Sequence, residues 1–210
     1  NGIKFLARGG VKLADHIEAA IEQRLEEPWE RPTGAPVGRL GDSHSALGVY
    51  VRHLVGTLSS SLDGLKVVLD CANGAAHTVG PDAFERAGAE VVAIHADPDG
   101  LNINENCGST YLGDLQRAVV EHQADVGFAF DGDADRCLAV DAAGNIVDGD
   151  QILAILAIKA QHEGRLAGNT VVGTVMSNLG FTHAMEAAGI KVSPSPAALG
   201  SPGQRPMAPW

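Results

Sequence analysis

The chain has 210 residues, 45% of them apolar and 20% charged, the size and make-up of one large globular domain or two small ones. A formal net charge of -11 excludes the broad basic surface that nucleic acid or an anionic membrane would require, so neither partner is expected. No run of about 18 apolar residues is present, so no membrane-spanning helix is expected either.

Residues 1–6 have the pattern of a short strand or turn. A helix is predicted over 12–27, with Leu13, Ile17, Ala20, Ile21 and Leu25 at helical spacing. Pro28 stops it. Residues 28–41 carry Pro28, Pro32, Pro36, Gly34, Gly38 and Gly41, a loop and a candidate domain boundary. A second helix follows over 43–58, with Asp42 as a plausible N-cap. Val67 to Leu69 form a short apolar run ending at Asp70, the pattern of a buried parallel strand. A small-residue turn, Cys71 to Ala76, leads to a helix ending near Gly88. Then come a strand over Val91 to Ile94, a helix over Leu112 to Gln123 and a strand over Val126 to Phe130. This βαβαβ alternation predicts a three-layer α/β domain.

Beyond it, Leu138 to Val140 and Ile146 to Val147 are expected to pair as a hairpin. Ile152 to Gln161 forms an apolar helix, Thr170 to Val175 a strand, and Phe181 to Ala188 a helix closed by Gly189; together they look like the opening of another α/β unit. Five of the ten prolines fall in 193–210. A Pro/Ser/Gly/Ala stretch of that kind cannot bury a core and is expected to be disordered or loosely attached.

The sharpest chemical feature is Asp131-Gly132-Asp133-Ala134-Asp135-Arg136, directly after an apolar strand. Ligands favour the carboxyl ends of strands in open α/β sheets. Three carboxylates at alternate positions can turn onto one centre, where their mutual repulsion calls for a divalent cation. Hard oxygen donors suit Mg²⁺ or Ca²⁺ rather than zinc. A solvated acidic turn is the plain alternative. An EF-hand would place Gly sixth and Glu twelfth, where Arg136 and Ala142 stand. A phosphatase of the haloacid-dehalogenase type would place Thr at Asp135. Arg136 favours phosphate, because a guanidinium pairs with phosphate oxygens bidentately; its alternative is an ion pair with a loop aspartate.

Other residues are assigned structural roles. Asn73-Gly74 is taken as a turn. His77, His95 and His122 show no ligand spacing. Asp148 and Asp150 are expected to cap the helix at Ile152, and Ser109 and Thr110 the helix at Leu112. Cys71, Cys107 and Cys137 form no CxxC pair, suggesting neither a zinc site nor a disulfide framework, and free thiols point to a reducing, cytoplasmic setting.

The loop DGDADR resembles the metal loop of the α-D-phosphohexomutases. Asn1-Gly2-Ile3-Lys4 is similar to the end of that family's active-serine segment, in which Ser-His-Asn-Pro precedes Asn-Gly-x-Lys. The runs Asn102-Ile103-Asn104-Glu105-Asn106-Cys107-Gly108-Ser109-Thr110 and Thr174-Val175-Met176-Ser177-Asn178-Leu179-Gly180 resemble the phosphoglucosamine mutase branch. The resemblance is collinear over roughly residues 1–192. It implies three-layer α/β/α domains with a mixed sheet, present incompletely: 1–33 finishing a first domain, 34–62 a crossover loop and helix, 63–165 a second domain with the metal loop, 166–192 the start of a third, and 193–210 a tail outside the family pattern.

The resemblance further implies an isomerase. A phosphoserine passes its phosphoryl group to a hexosamine phosphate, a bisphosphate intermediate turns over, and glucosamine 6-phosphate and glucosamine 1-phosphate interconvert for cell-wall precursor (UDP-N-acetylglucosamine) synthesis. Asp131, Asp133 and Asp135 would hold Mg²⁺, and Lys4 and Arg136 would serve the phosphate. The nucleophilic serine would lie upstream of Asn1, so the 210-residue chain alone is expected to be inactive. A homodimer is the assembly left open for the complete protein. A phosphomannomutase or phosphoglucomutase of the same superfamily, and a non-catalytic Mg²⁺-binding module, are the alternatives.

Overall fold

A computed structural model describes residues 5–39 and 44–194. The chain opens with a small hairpin in which β1 (Leu6–Ala7) pairs antiparallel with β2 (Val11–Lys12) across Gly9 and Gly10, both at positive φ. Helix α1 (Asp15–Leu25) therefore starts three residues later than the expected 12, because Val11 and Lys12 pair with Ala7 and Leu6. None of its residues is buried. Helix α2 (His44–Gly56) follows; the expected N-cap at Asp42 lies outside the described residues, as does Lys4.

The central sheet begins with β3 (Lys66–Asp70), whose last four residues are all buried. A strand apolar on both sides must be covered on both sides, and the alternation of its side chains shows how. Val67 and Leu69 face helix α3 (Ala76–Arg86), in a core with Cys71, Ala76 and Phe84. Val68 faces the opposite way, onto α4 (Gly113–Glu121), whose Leu115, Ala118 and Val119 sit at helical spacing and are buried. The three-layer α/β/α arrangement thus follows from the period-two pattern of one strand.

Strand β4 (Glu90–Ile94) and β5 (Val126–Phe130) run parallel to β3 on either side. Strands β6 (Cys137–Asp141) and β7 (Ile146–Val147) then add antiparallel, giving a mixed sheet of order β4-β3-β5-β6-β7. Gly127 in β5 lets α4 approach closely: a Cβ there would lie 2.5 Å from Val119 and 2.7 Å from Leu115.

Helix α5 (Gly149–His162) is opened by Asp148, whose carboxylate accepts from the Gln151 backbone N–H while the Gln151 side chain accepts from the Asp148 N–H. This reciprocal cap fits the expectation for Asp148. Asp150 differs: its carboxylate accepts from the Asn178 N–H at 2.7 Å, joining α5 to the start of the next helix rather than capping its own.

Strands β8 (Thr170–Gly173) and β9 (Lys191–Pro194) are parallel and joined by α6 (Leu179–Ala187). Ala157 of α5 shares a core with Val171, Phe181, Met185 and Ile190, while α5 also lies against β6. β9 runs through Ser193 and Pro194, two residues into the segment expected to be loose; residues 195–210 lie outside the described residues. Among the described residues no helix is long and apolar enough to cross a membrane.

Candidate metal centre

The six-residue loop 131–136 closes the turn from β5 into the antiparallel β6, where Phe130 pairs with Cys137. The strand pairing thus brings both ends of the loop together and holds its carboxylates at one sheet edge. The Ala134 N–H donates to the Asp131 carbonyl at 3.0 Å, and Ala134 itself takes a positive φ of 59°. One carboxylate oxygen from each of Asp131, Asp133 and Asp135 lies within 4.8 Å of the others. Asp131 is buried, whereas Asp133 and Asp135 are exposed.

Burial pulls the Asp131 pKa upward. The Arg136 and Asp131 backbone N–H groups, the Arg136 guanidinium and a hydrogen bond shared with Asp133 together outweigh it, so Asp131 stays ionised below the ordinary carboxylate range. The Arg136 side chain is 74% exposed, and its Nε stands 3.8 Å from both Asp131 and Asp135. Those distances leave the guanidinium fork free for another anion.

Two other loops seat this one. The Ala75 N–H donates to the Gly132 carbonyl at 2.9 Å, and a Cβ on Gly74 would lie 2.3 Å from that same oxygen. A Cβ on Gly132 would lie 2.7 Å from both Asn104 and Ile103. Asn104 donates from its backbone N–H to Ala72 at 2.9 Å. Asn73-Gly74 is therefore a turn, as expected, and also the floor of the loop. An apolar cavity of about 430 Å³ between α2 and α3, walled by Tyr50, Leu54, Leu58, Val79 and Phe84, also has Asp133 and Ala134 in its lining. Among the described residues no Lys or Arg lines it to meet a phosphate.

Ser109 and Thr110 do not cap α4. They belong to a single 3-10 turn, Gly108–Thr110, and Leu112 occupies the cap position with no side-chain hydrogen bond. Tyr111 turns the chain between them, which carries both hydroxyl residues away from the helix start. His77 Nδ1 makes a local contact with the Gly74 carbonyl at 2.9 Å.

His95 sits in a different setting from that expected of a lone histidine. Its ring lies between Asp70 and Asp114, with Cys107 alongside. Burial, and the nearby charges of Asp70, Asp114 and Glu105, push the Cys107 thiol up to about 11; burial and Asp70 push Cys71 up to about 12. Neither thiol is a ready nucleophile.

A mixed sheet with helices on both faces and three carboxylates converging at a strand's end defines a three-layer α/β/α protein with a candidate metal site. The chain belongs to the phosphoglucomutase/phosphomannomutase family: residues 49–144 match its alpha/beta/alpha domain II and residues 148–197 its alpha/beta/alpha domain III. Among relatives, the phosphoglucosamine mutase of Nocardioides sp. is 67% identical over 192 residues, 91% of this chain and 43% of that protein. The phosphoglucosamine mutase of Streptomyces griseus is 64% identical over 197 residues, 91% of this chain and 44% of that protein. The chain thus spans less than half the length of these relatives. Among solved structures, a phosphoglucomutase/phosphomannomutase family protein from Burkholderia thailandensis superposes with a TM-score of 0.61 at 26% identity, covering 71% of this chain and 32% of that one. An N-acetylglucosamine-phosphate mutase of the α-D-phosphohexomutase superfamily shares the fold at a TM-score of 0.52 and 18% identity, covering 73% of this chain and 37% of that one.

Proposed function

We propose that this chain is the metal-loop portion of a phosphoglucosamine mutase, which interconverts glucosamine 6-phosphate and glucosamine 1-phosphate through a phosphoserine and a bisphosphate intermediate in the cytoplasm. The observation that carries the reading is the convergence of Asp131, Asp133 and Asp135 within 4.8 Å at the end of β5, in a chain 67% identical to a relative of that name.

The donor set is all carboxylate oxygen, which fits Mg²⁺ with the remaining positions left to phosphate and water. When bound, the ion would neutralise charge on the phosphoryl group in transfer. The chain's own residues do the rest. Asp131, held by the Arg136 N–H at 3.1 Å, keeps one ligand ionised and oriented. The clamp of Gly74, Gly132 and Asn104 holds the loop in its ligating shape in advance, so little reorganisation is left for the reacting complex. Arg136 reaches outward to a phosphate oxygen, and Lys4 is proposed to act on the same phosphate. In the proposed organisation, 1–33 finish one domain, 34–62 cross over, and the metal-loop domain follows from 63. The third domain is taken to open near 148 rather than 166, because α5 shares the core of α6 and the domain III match begins there.

The test exchanges the aligned segment of the Nocardioides relative for the residues of this chain. The chimera is expected to interconvert the two glucosamine phosphates when Mg²⁺ is supplied. Asp133→Ala is expected to lower its turnover by at least ~100-fold, the size of loss seen when one transition-state charge stabiliser is removed. A folded chimera that turns over glucose or mannose phosphates in preference, or runs equally well without a divalent cation, would overturn the reading.

A further inference from the structure

Asp70, at the end of β3, is fully buried. Its Oδ1 accepts from the Ala72 N–H at 3.0 Å and its Oδ2 from the Gly108 N–H at 2.9 Å. Among the described residues it has no Lys or Arg partner; the one ionisable base beside it is His95, whose Nδ1 lies 3.1 Å from Asp70 Oδ2. Buried carboxylates are ordinarily paired with a cation or ligate a metal.

The histidine contact is not an ordinary hydrogen bond. His95 Nδ1 is buried and, among the described residues, has no hydrogen-bond partner, despite the short distance. On the far side of the ring, Nε2 lies 3.3 Å from Asp114 Oδ2. A carboxylate behind one ring nitrogen is the usual support of a metal-bound histidine and would leave Nδ1 as the ligand atom. Nδ1 and the Asp70 oxygen face one another in a closed space with no hydrogen bond between them, an arrangement that a cation between them would satisfy. Cys107 Sγ, also fully buried, belongs to the same group, with one donor atom of each residue within 4.8 Å of the others. Two ligands each ~2.0–2.1 Å from a tetrahedral ion stand ~3.3 Å apart, close to the observed Nδ1 to Oδ2 separation.

We propose that Asp70, His95 and Cys107 bind a borderline-soft divalent cation of the zinc class as a structural site, distinct from the hard-oxygen loop at Asp131. One oxygen, one imidazole nitrogen and one sulfur make a donor set that favours such an ion over Mg²⁺. On binding, the Cys107 S–H bond breaks, its proton passes to solvent, and the sulfur lone pair forms the metal–sulfur bond; a water completes the tetrahedron. Asp114 orients the imidazole from behind and is itself paired with Arg117. The ion would join the ends of β3 and β4 to the loop carrying Cys107, whose Asn104 and Ile103 abut Gly132. It would therefore stiffen the seat of the Asp131 loop without being part of it, and the site stands whether or not the mutase reading holds.

The test is a Co²⁺ titration of the chelator-stripped 210-residue chain, followed by the near-ultraviolet thiolate-to-cobalt absorption, which carboxylate-bound cobalt lacks. The expected result is a band that saturates at one equivalent, persists in Asp133→Ala and disappears in Cys107→Ser. Asp114→Asn is expected to weaken cobalt ~10–100-fold, the usual effect of losing such a supporting carboxylate. Because Cys107 is buried, Cys107→Ser can fail to fold, so His95→Gln, at a part-exposed ring, provides a second arm. Zn²⁺ should raise the Tm of the wild type and of Asp133→Ala but not of His95→Gln. No sulfur band in the wild type, a band surviving Cys107→Ser, or equal zinc stabilisation of His95→Gln would overturn the proposed site.

Discussion

The two clusters of candidate ligands lie near one another at one edge of one sheet, yet are built in opposite ways. Asp131, Asp133 and Asp135 come from a single loop, two of them exposed, and offer only hard oxygen. Asp70, His95 and Cys107 come from three segments, are largely closed off from solvent, and offer oxygen, nitrogen and sulfur. A contiguous, solvent-facing carboxylate loop suits an ion that exchanges water and reaches a substrate phosphate. A buried mixed set suits an ion that stays and holds strands together. Both rest on the same contacts, since Ala72, Asn104 and Gly132 lie between them.

The strongest way to separate the clusters is Gly74→Ala. Its Cβ would lie 2.3 Å from the Gly132 carbonyl oxygen, a backbone atom that cannot swing away. Overpacking of this kind costs about 1–3 kcal/mol, and the loop rather than the sheet should give way. The expected outcome is a loss of unfolding free energy of that size in urea melts and Mg²⁺ binding weakened ~10-fold or more by calorimetry. The cobalt–thiolate band should persist. Loss of both metals together would mean the two sites form one cooperative unit.

The contrast also shows what a sequence exposes. The convergence of the Asp131 triad was legible because its carboxylates are local: the Phe130–Cys137 pairing folds six consecutive residues back on themselves, so the spacing is the geometry. The Asp70 cluster was not. Its members lie 25 and 12 residues apart (70 to 95, 95 to 107), and only the placing of β4 beside β3 brings His95 to Asp70. Local ligand spacing has no means of linking His95 to Asp70 and Cys107. The fold divides in the same manner. The alternation of Val67, Val68 and Leu69 gave the buried strand and the layers on its two faces. The β1–β2 hairpin passed unseen, because two-residue strands carry no period. β9 takes in Ser193 and Pro194 because pairing with Val172 and Gly173 of β8 carries the strand into the proline-rich segment. α1 had the stripe of a core helix, but a stripe does not say what covers it.

A smaller effect tests the electrostatics of the loop alone. The Asp131 pKa is lowered in the folded chain, so its contribution to stability is fully present above its unfolded value of about 4 and is lost as the pH falls through the lower folded value. Metal-free wild type should therefore be more stable than Asp131→Asn at pH 6 in urea melts. The gap should shrink as the pH falls below about 4, where the unfolded carboxyl protonates first, and close at the lower folded value, where the native carboxyl protonates and resembles the amide. A gap that stays constant down to pH 3 would place the difference in packing rather than charge.

The smallest expected change in stability is the most informative about purpose. Arg136 stands 3.8 Å from each of two carboxylates, with 74% of its side chain in solvent. Pairs that long and that exposed contribute little, about 0–1 kcal/mol and often nothing measurable. Arg136→Ala should therefore leave the urea midpoint nearly unchanged. Metal affinity at the loop should rise slightly, because a positive charge beside the cation site has been removed. In the chimera, turnover should nevertheless fall ~10–100-fold, the loss expected when a guanidinium no longer meets a phosphate. A variant that loses more than about 1 kcal/mol of stability while keeping its turnover would make Arg136 an internal brace of the loop and take the phosphate contact elsewhere.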